Sequence, residues 1–243
     1  YNKSKDDVLV AYPSVSLEAK PNWKHYERFM RQHRGTGPYI LTVGTLQPRK
    51  NLIRLIEAFE NIATEQFTSP ALPSPIKKSR SIRTALVGKK TATNSLKLVI
   101  AGKVGWLADE ILQKIAQSPH QDKIILPGFV PDDIKQPLYQ QAICTAMISP
   151  YEGFGIPALE AIASGGIALV ANTSSLPEVV GEAGIMVNPL NVGSIANGLL
   201  QAATLSARDR TRLIRTGKQQ AASFSWKVSA EHILTALESL AKT

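Results

Sequence analysis

The sequence holds a single cysteine, Cys144, in 243 residues. It can form no internal disulfide, and its place in the apolar run from Ile143 to Ile148 reads as core packing. Four histidines, His25, His33, His120 and His232, fall at no spacing that would gather a metal. No apolar run approaches the ~18 residues of a membrane-spanning helix, and the opening YNKSKDD has none of the features of a secretory leader. The expected location is therefore the cytoplasm. The GxGxxG pattern of dinucleotide enzymes is missing after the first strands, which argues against a nicotinamide-dependent dehydrogenase. Acidic residues are absent from Gln66 to Ala108.

Positive charge is in excess, with a net value of +9. Such a balance serves solubility, or it meets an acidic partner such as an anionic ligand or an anionic membrane surface. Nucleic acid is not expected, because no basic patch interleaved with aromatics appears. Much of the charge lies in residues 66–95, a Ser-, Thr- and Pro-rich stretch carrying Lys77, Lys78, Arg80, Arg83, Lys89 and Lys90. It reads as a flexible basic insertion. It is either a solvated tether or a contact for anionic lipid, which would place the protein at the cytoplasmic face of the membrane.

Elsewhere strands and helices alternate. Strand-like runs are 8–12, 39–44, 96–101, 123–126, 143–148 and 167–171. Helical spacing covers 21–34, 52–62, 108–117, a segment capped by Asp132, a segment from Pro157, 194–205, 207–222 and a last helix to about Leu240. Phe224 and Trp226 open that last helix as packing anchors. The alternation predicts an α/β domain over 1–243: a Rossmann-like parallel sheet with helices on both faces.

The most informative stretch runs from Ala146 to Pro189. A strand enters a loop with Glu152, Gly153, Phe154 and Gly155, and a helix follows, starting near Pro157. Free amides and a partial positive charge at a helix start suit an anion, and glycines allow its close approach. Carboxylates, by contrast, accept hydrogen bonds from hydroxyls. An anion cradle flanked by Glu152 and Glu160 suggests a ligand that is both phosphate and polyol, a nucleotide sugar. Read separately, the glycines are turn chemistry and Glu160 a solvated helix residue. A second basic site follows the strand at 39–44. Gly44 and Thr45 open a loop holding Arg49 and Lys50, placed to neutralise a diphosphate or simply an exposed basic turn.

Glu152 and Glu160, framing GFGIPAL, resemble the paired-glutamate motif of retaining glycosyltransferases with the two-domain GT-B fold, family four. The resemblance spans about Lys5 to Leu240 and is to the C-terminal, donor-binding half of that fold. It implies that Glu152 holds hydroxyls of the transferring sugar and that Gly153, Phe154, Gly155 and Ile156 offer amides. Glu160 would bind ribose. The GTLQPRKN segment, with Gly44 and Thr45, resembles the family motif whose lysine, here Lys50, contacts the donor diphosphate. Many members carry an arginine where this chain has Thr45, so either Arg49 supplies the second cation or the site has only one. The LPGFV turn would hold the base near Val130. Asp132 and Lys135 lie where guanine-specific members read it; otherwise they are a cap and a surface lysine.

The resemblance implies no metal or other cofactor, the nucleoside diphosphate sugar being the donor substrate. The resemblance implies that the acceptor-binding N-terminal domain lies outside this sequence and acts in cis or in trans. Mannose or a similar hexose, from GDP-mannose or a UDP-sugar, is the expected group, passed to a glycan or lipid-linked acceptor in polysaccharide assembly. A glycosidase pair of carboxylates leaves the phosphate cradle unexplained. A non-catalytic nucleotide or anion-binding module and an epimerase-like domain are the alternatives.

Overall fold

The computed structural model describes residues 8–17, 20–63 and 96–241. The basic insertion at 66–95 lies outside them. Six parallel strands form one sheet: β1 (Tyr39–Val43), β2 (Lys97–Ala101), β3 (Ile124–Gly128), β4 (Thr145–Met147), β5 (Ala168–Ala171) and β6 (Gly184–Val187), in the order β3-β2-β1-β4-β5-β6. Register runs Tyr39 opposite Lys97, Leu41 opposite Thr145, and Thr145 opposite Ala168.

Side chains two apart share a face of a strand, and the core divides accordingly. Ile40, Leu98, Ile100 and Leu169 pack under the helices α2 (Leu52–Ile62), α3 (Asp109–Ala116) and α7 (Val192–Ala203). On the opposite face Tyr39, Leu41 and Val99 meet α1 (Trp23–Gln32) and α4 (Asp132–Gln141). There too Ala168 and Val170 meet α5 (Ile156–Ser164) and α6 (Leu176–Val180). Helices α8 (Ala207–Ala222) and α9 (Trp226–Leu240) complete the described chain. This is the expected Rossmann-like architecture. Cys144 is fully buried, and burial pushes its thiol up to about 12.

Two anchors show how the sequence locks the elements. Pro137 lies inside α4 and cannot donate to the carbonyl of Asp133. The amide of Asn22 takes that acceptor at 2.8 Å, and His25 Nδ1 meets the Asp133 carboxylate at 2.9 Å, docking α1 on α4. Arg210 of α8 is buried and donates to the carbonyls of Ala142 and Ile143 at 2.8 and 3.0 Å, pinning the entry to β4.

Four expectations need correction. Residues 8–12 pair with no strand; Val8, Leu9 and Val10 are exposed, and β-branched composition alone cannot supply a partner edge. The sixth strand is instead Gly184–Val187, a four-residue edge strand with Met186 exposed. Asp132 caps nothing: it is the first residue of α4, after Pro131, and its carboxylate binds Lys135. Of the expected anchor pair only Phe224 is buried; Trp226 is 59% exposed.

Candidate functional site

The sheet order reverses between β1 and β4. Their outgoing loops diverge, and this is where open α/β sheets form a ligand crevice at the carboxyl edge. A narrow cleft lies there, lined by Gly44, Thr45 and Lys50 from the β1 side and by Ile148 and Ser149 from the β4 side. Behind the Gly44 wall stands Gly102, just past β2, whose φ is +151°. A Cβ on Gly102 would sit 2.0 Å from the carbonyl oxygen of Gly44, so no side chain fits.

Pro48–Lys50 forms a 3-10 turn, and Asn51 follows with φ of 58°. The buried Asn51 amide nitrogen donates to the carbonyls of Ile148 at 3.1 Å and Pro189 at 2.7 Å. Arg54 donates to its oxygen at 3.0 Å. One side chain thereby ties the turn bearing Arg49 and Lys50 to the ends of β4 and β6.

Across the cleft stands Glu152. Its carboxylate accepts from Lys50 Nζ at 2.7 Å and from Arg49 Nη1 at 3.1 Å. The Glu152 side chain is 8% exposed, Lys50 14% and Arg49 52%. Burial on its own would raise the carboxyl. The hydrogen bond from Lys50, the neighbouring Ser149 hydroxyl, the Lys50 charge and the bond from Arg49 outweigh it and hold the group below the ordinary glutamate range. Ser149 Oγ itself is buried and completes no regular hydrogen bond among the described residues.

The loop after Glu152 is fixed from behind. The Phe154 ring packs edge-on against Phe224 at 5.4 Å and, tilted, against Tyr12 at 6.3 Å. Gly155 has φ of +102°, and a Cβ there would lie 2.5 Å from Leu176 Cδ2, so this glycine is required by the fold itself. Above Gly153 a Cβ would meet nothing within 4 Å. Among the described residues the amides of Gly153, Phe154, Gly155 and Ile156 donate to no protein acceptor. Free amides at the start of α5 can receive an anion.

Glu160 lies about one turn into α5, in a second group. Its Oε2 accepts from the buried Tyr139 hydroxyl at 2.6 Å, and Lys135 Nζ lies 3.7 Å from its Oε1 and 2.8 Å from Asp132 Oδ1. Burial drives the Tyr139 phenol far above its ordinary range, so it remains a donor. The bond to Asp132 chiefly raises Lys135. Val130 is buried at the entry to α4.

The structure thus joins Arg49, Lys50 and Glu152 in one cluster and Asp132, Lys135 and Glu160 in another, with α5 and its entry loop carrying both glutamates. Sequence reasoning missed Tyr139, the clamp made by Asn51, and three hydroxyls, Thr173, Ser174 and Ser175, that bond to the backbone of the Glu152 loop. The signal available for the last was a run of hydroxyl residues just past a strand's carboxyl end. Among the described residues no group of three or more His, Cys, Asp and Glu side chains could hold a metal, and no helix is long and apolar enough to cross a membrane.

Comparison with known proteins adds a family. The model described as "Glycosyl transferases group 1" matches residues 75–220. O-antigen chain mannosyltransferase B of Escherichia coli is 33% identical over 191 residues, covering 78% of this chain and 42% of the relative. A glycosyltransferase from Rickettsia africae superposes with a TM-score of 0.78 at 16% identity, covering 99% of this chain and 59% of that one. Anabaena Alr3699/HepE, solved with UDP and glucose, superposes at 0.73 with 16% identity, covering 98% and 59%. The chain spans about two fifths of the length of the curated relative and somewhat more than half of each solved structure.

Proposed function

The chain belongs to the glycosyl transferases group 1 family, and we propose that it is the donor-binding domain of a retaining glycosyltransferase that uses a nucleoside diphosphate hexose. The observation that carries this reading is the pairing of Glu152 with Lys50 and Arg49 beside four free amides. In the free protein the carboxylate and the cations neutralise each other. A diphosphate draws Lys50 and Arg49 toward its own oxygens, which strands a buried carboxylate at a cost of several kcal/mol if nothing replaces them. Sugar hydroxyls are the replacement, since they donate to Glu152 as the cations turn to phosphate. The site is therefore matched to a ligand with both parts.

Residue roles follow. Glu152 orients the transferring sugar. Gly153, Phe154, Gly155 and Ile156 give amides to sugar and diphosphate, with Gly44 and Thr45 on the opposite wall. Lys50, assisted by Arg49, stabilises charge on the leaving diphosphate, where the electrostatic demand of transfer is greatest. Glu160, held by Tyr139, receives the ribose hydroxyls. Val130 supports the base through its backbone, and Asp132 with Lys135 offers one acceptor and one donor for reading it. That pair favours guanine, and the mannosyltransferase relative supports mannose as the sugar. No cofactor takes part in this scheme. The acceptor is held by a partner domain, in cis or in trans, in glycan assembly on the cytoplasmic side.

A thermal-shift panel of GDP, UDP, ADP and their sugar derivatives tests this. Ligand that binds the folded state raises the melting midpoint with concentration. The expected result is a larger rise with GDP-mannose than with GDP, and little with ADP. A rise of equal size for every nucleotide, with no increment from the sugar, would instead indicate a general anion-binding module.

A further inference from the structure

The loop that carries Glu152 is shaped by a neighbour with no role assigned so far. After β5 the chain reads Asn172-Thr173-Ser174-Ser175 and enters α6. Three consecutive hydroxyls reach across to the loop. Thr173 Oγ1 donates to the carbonyl of Pro150 at 2.9 Å. Ser174 Oγ donates to the carbonyl of Glu152 at 2.6 Å and accepts from the Glu152 amide at 3.2 Å. Ser175 Oγ lies 2.9 Å from the carbonyls of both Glu152 and Phe154, so its single proton is shared between them.

The bonded carbonyls are those of residues 150, 152 and 154. In a planar trans peptide the C=O and the N–H of the next residue point in opposite directions. Drawing the carbonyls of Glu152 and Phe154 toward the hydroxyls therefore turns the amides of Gly153 and Gly155 the other way. Those two amides lack a protein acceptor among the described residues. The same bonds fix the backbone from which the Glu152 side chain extends.

Local structure is sacrificed for this arrangement. Ser175 occupies the N-cap position of α6 but makes no capping bond, forgoing about 1 kcal/mol that an N-cap serine normally supplies. Ser174 sits at φ of 60°, a left-handed conformation that costs a residue with a Cβ roughly 1 kcal/mol or more. Neither choice helps the 172–175 segment on its own; both are offset by the bonds to the Glu152 loop.

We infer that Ser174 and Ser175 are positioning residues: they aim the Gly153 and Gly155 amides and hold the Glu152 backbone in register for a nucleoside diphosphate sugar. The inference rests on the donor-site reading above for its ligand, and on the hydrogen bonds alone for its geometry. Two measurements on this chain separate them. The first is amide hydrogen exchange without ligand. Ser174→Gly removes the hydroxyl while relieving the backbone, and it should speed exchange of the Glu152 amide about tenfold, the loss of one hydrogen bond. Unchanged exchange overturns the brace.

The second is calorimetric titration of GDP and UDP into wild type, Ser174→Gly, Ser175→Ala and Ser175→Thr. The better of the two nucleotides should bind about tenfold more weakly to Ser174→Gly and Ser175→Ala. Ser175→Thr, which keeps a hydroxyl, should return to within about twofold. Lower melting midpoints with unchanged affinity would make the serines merely structural and overturn the positioning role. Failure of the wild-type chain to bind either nucleotide would overturn the donor-site reading, with the exchange experiment still deciding the brace.

Discussion

Glu152 and Glu160 stand eight positions apart on one loop-helix unit, yet the protein treats them differently. Glu152 is 8% exposed and faces two cations from another loop. Glu160 is 19% exposed and is held by a neutral phenol, with Lys135 at 3.7 Å and shared with Asp132. A buried carboxylate with full countercharge can change partners only when a ligand supplies new donors. A carboxylate held by a neutral phenol, with only a long ion pair to a lysine already shared with another carboxylate on its second oxygen, can accept a ligand hydroxyl there while giving up little. The first glutamate thus suits a gate conditional on the whole ligand, and the second suits a docking point.

The largest expected effect breaks that contrast at Glu152. Glu152→Gln keeps the shape and removes the charge. It should lower affinity for GDP-mannose about 100-fold, the scale of lost charged hydrogen bonds, while GDP itself binds no more weakly because Lys50 and Arg49 are released. Calorimetry of both ligands on both proteins checks this. Glu160→Gln, in contrast, should weaken the two ligands equally; if it too removes only the sugar increment, the division of roles is wrong. The pH dependence sharpens the same point. The folded Glu152 carboxyl is depressed from 4.5. Its contribution to stability is present above that value and is lost as pH falls through the lower folded value. Glu152→Gln should flatten this acid-side loss in melting curves taken below about pH 5.

A smaller effect separates the two cations. Lys50 is 14% exposed and Arg49 52%. Lys50→Met should weaken GDP about 30-fold and lower stability by roughly 2 kcal/mol, since it leaves Glu152 short of a buried partner. Arg49→Met, at a solvent-screened position, should cost about threefold in affinity and less than about 0.5 kcal/mol. Equal losses from the two would mean that Arg49 moves inward on binding and counts as much as Lys50.

The sequence carried the parts of this picture that depend on local chemistry. Strand and helix periods located five of the six strands, and the loop residues Glu152 to Gly155 were legible because glycine and proline mark a turn into a helix. The pairing of Lys50 with Glu152 was not legible. It spans 102 positions and follows from the order of strands, which brings β1 beside β4. The strand expected at 8–12 failed for the same reason, since composition shows a residue's fitness for a sheet and not the presence of an edge. Tyr139 carries no motif and lies within the helix Asp132–Gln141. Only its burial against Glu160 gives it a task. The hydroxyls at 173–175 went unnoticed because their partners are backbone carbonyls, which leave no trace in side-chain patterns.

Tyr139 supplies the smallest effect and the finest test of the contrast. Its hydroxyl is the donor to Glu160 Oε2, at 2.6 Å. Tyr139→Phe keeps the buried ring and deletes that bond. Because Glu160 is partly exposed, water can replace the lost donor, so stability should fall by only about 1 kcal/mol. If Glu160 receives the ribose, its looser placement should weaken GDP about threefold and leave inorganic diphosphate, which has no ribose, unaffected. Titration of both ligands into wild type and Tyr139→Phe reads the difference. A parallel loss for inorganic diphosphate would show that the substitution had shifted the α5 entry loop, and that the two glutamates respond as one unit.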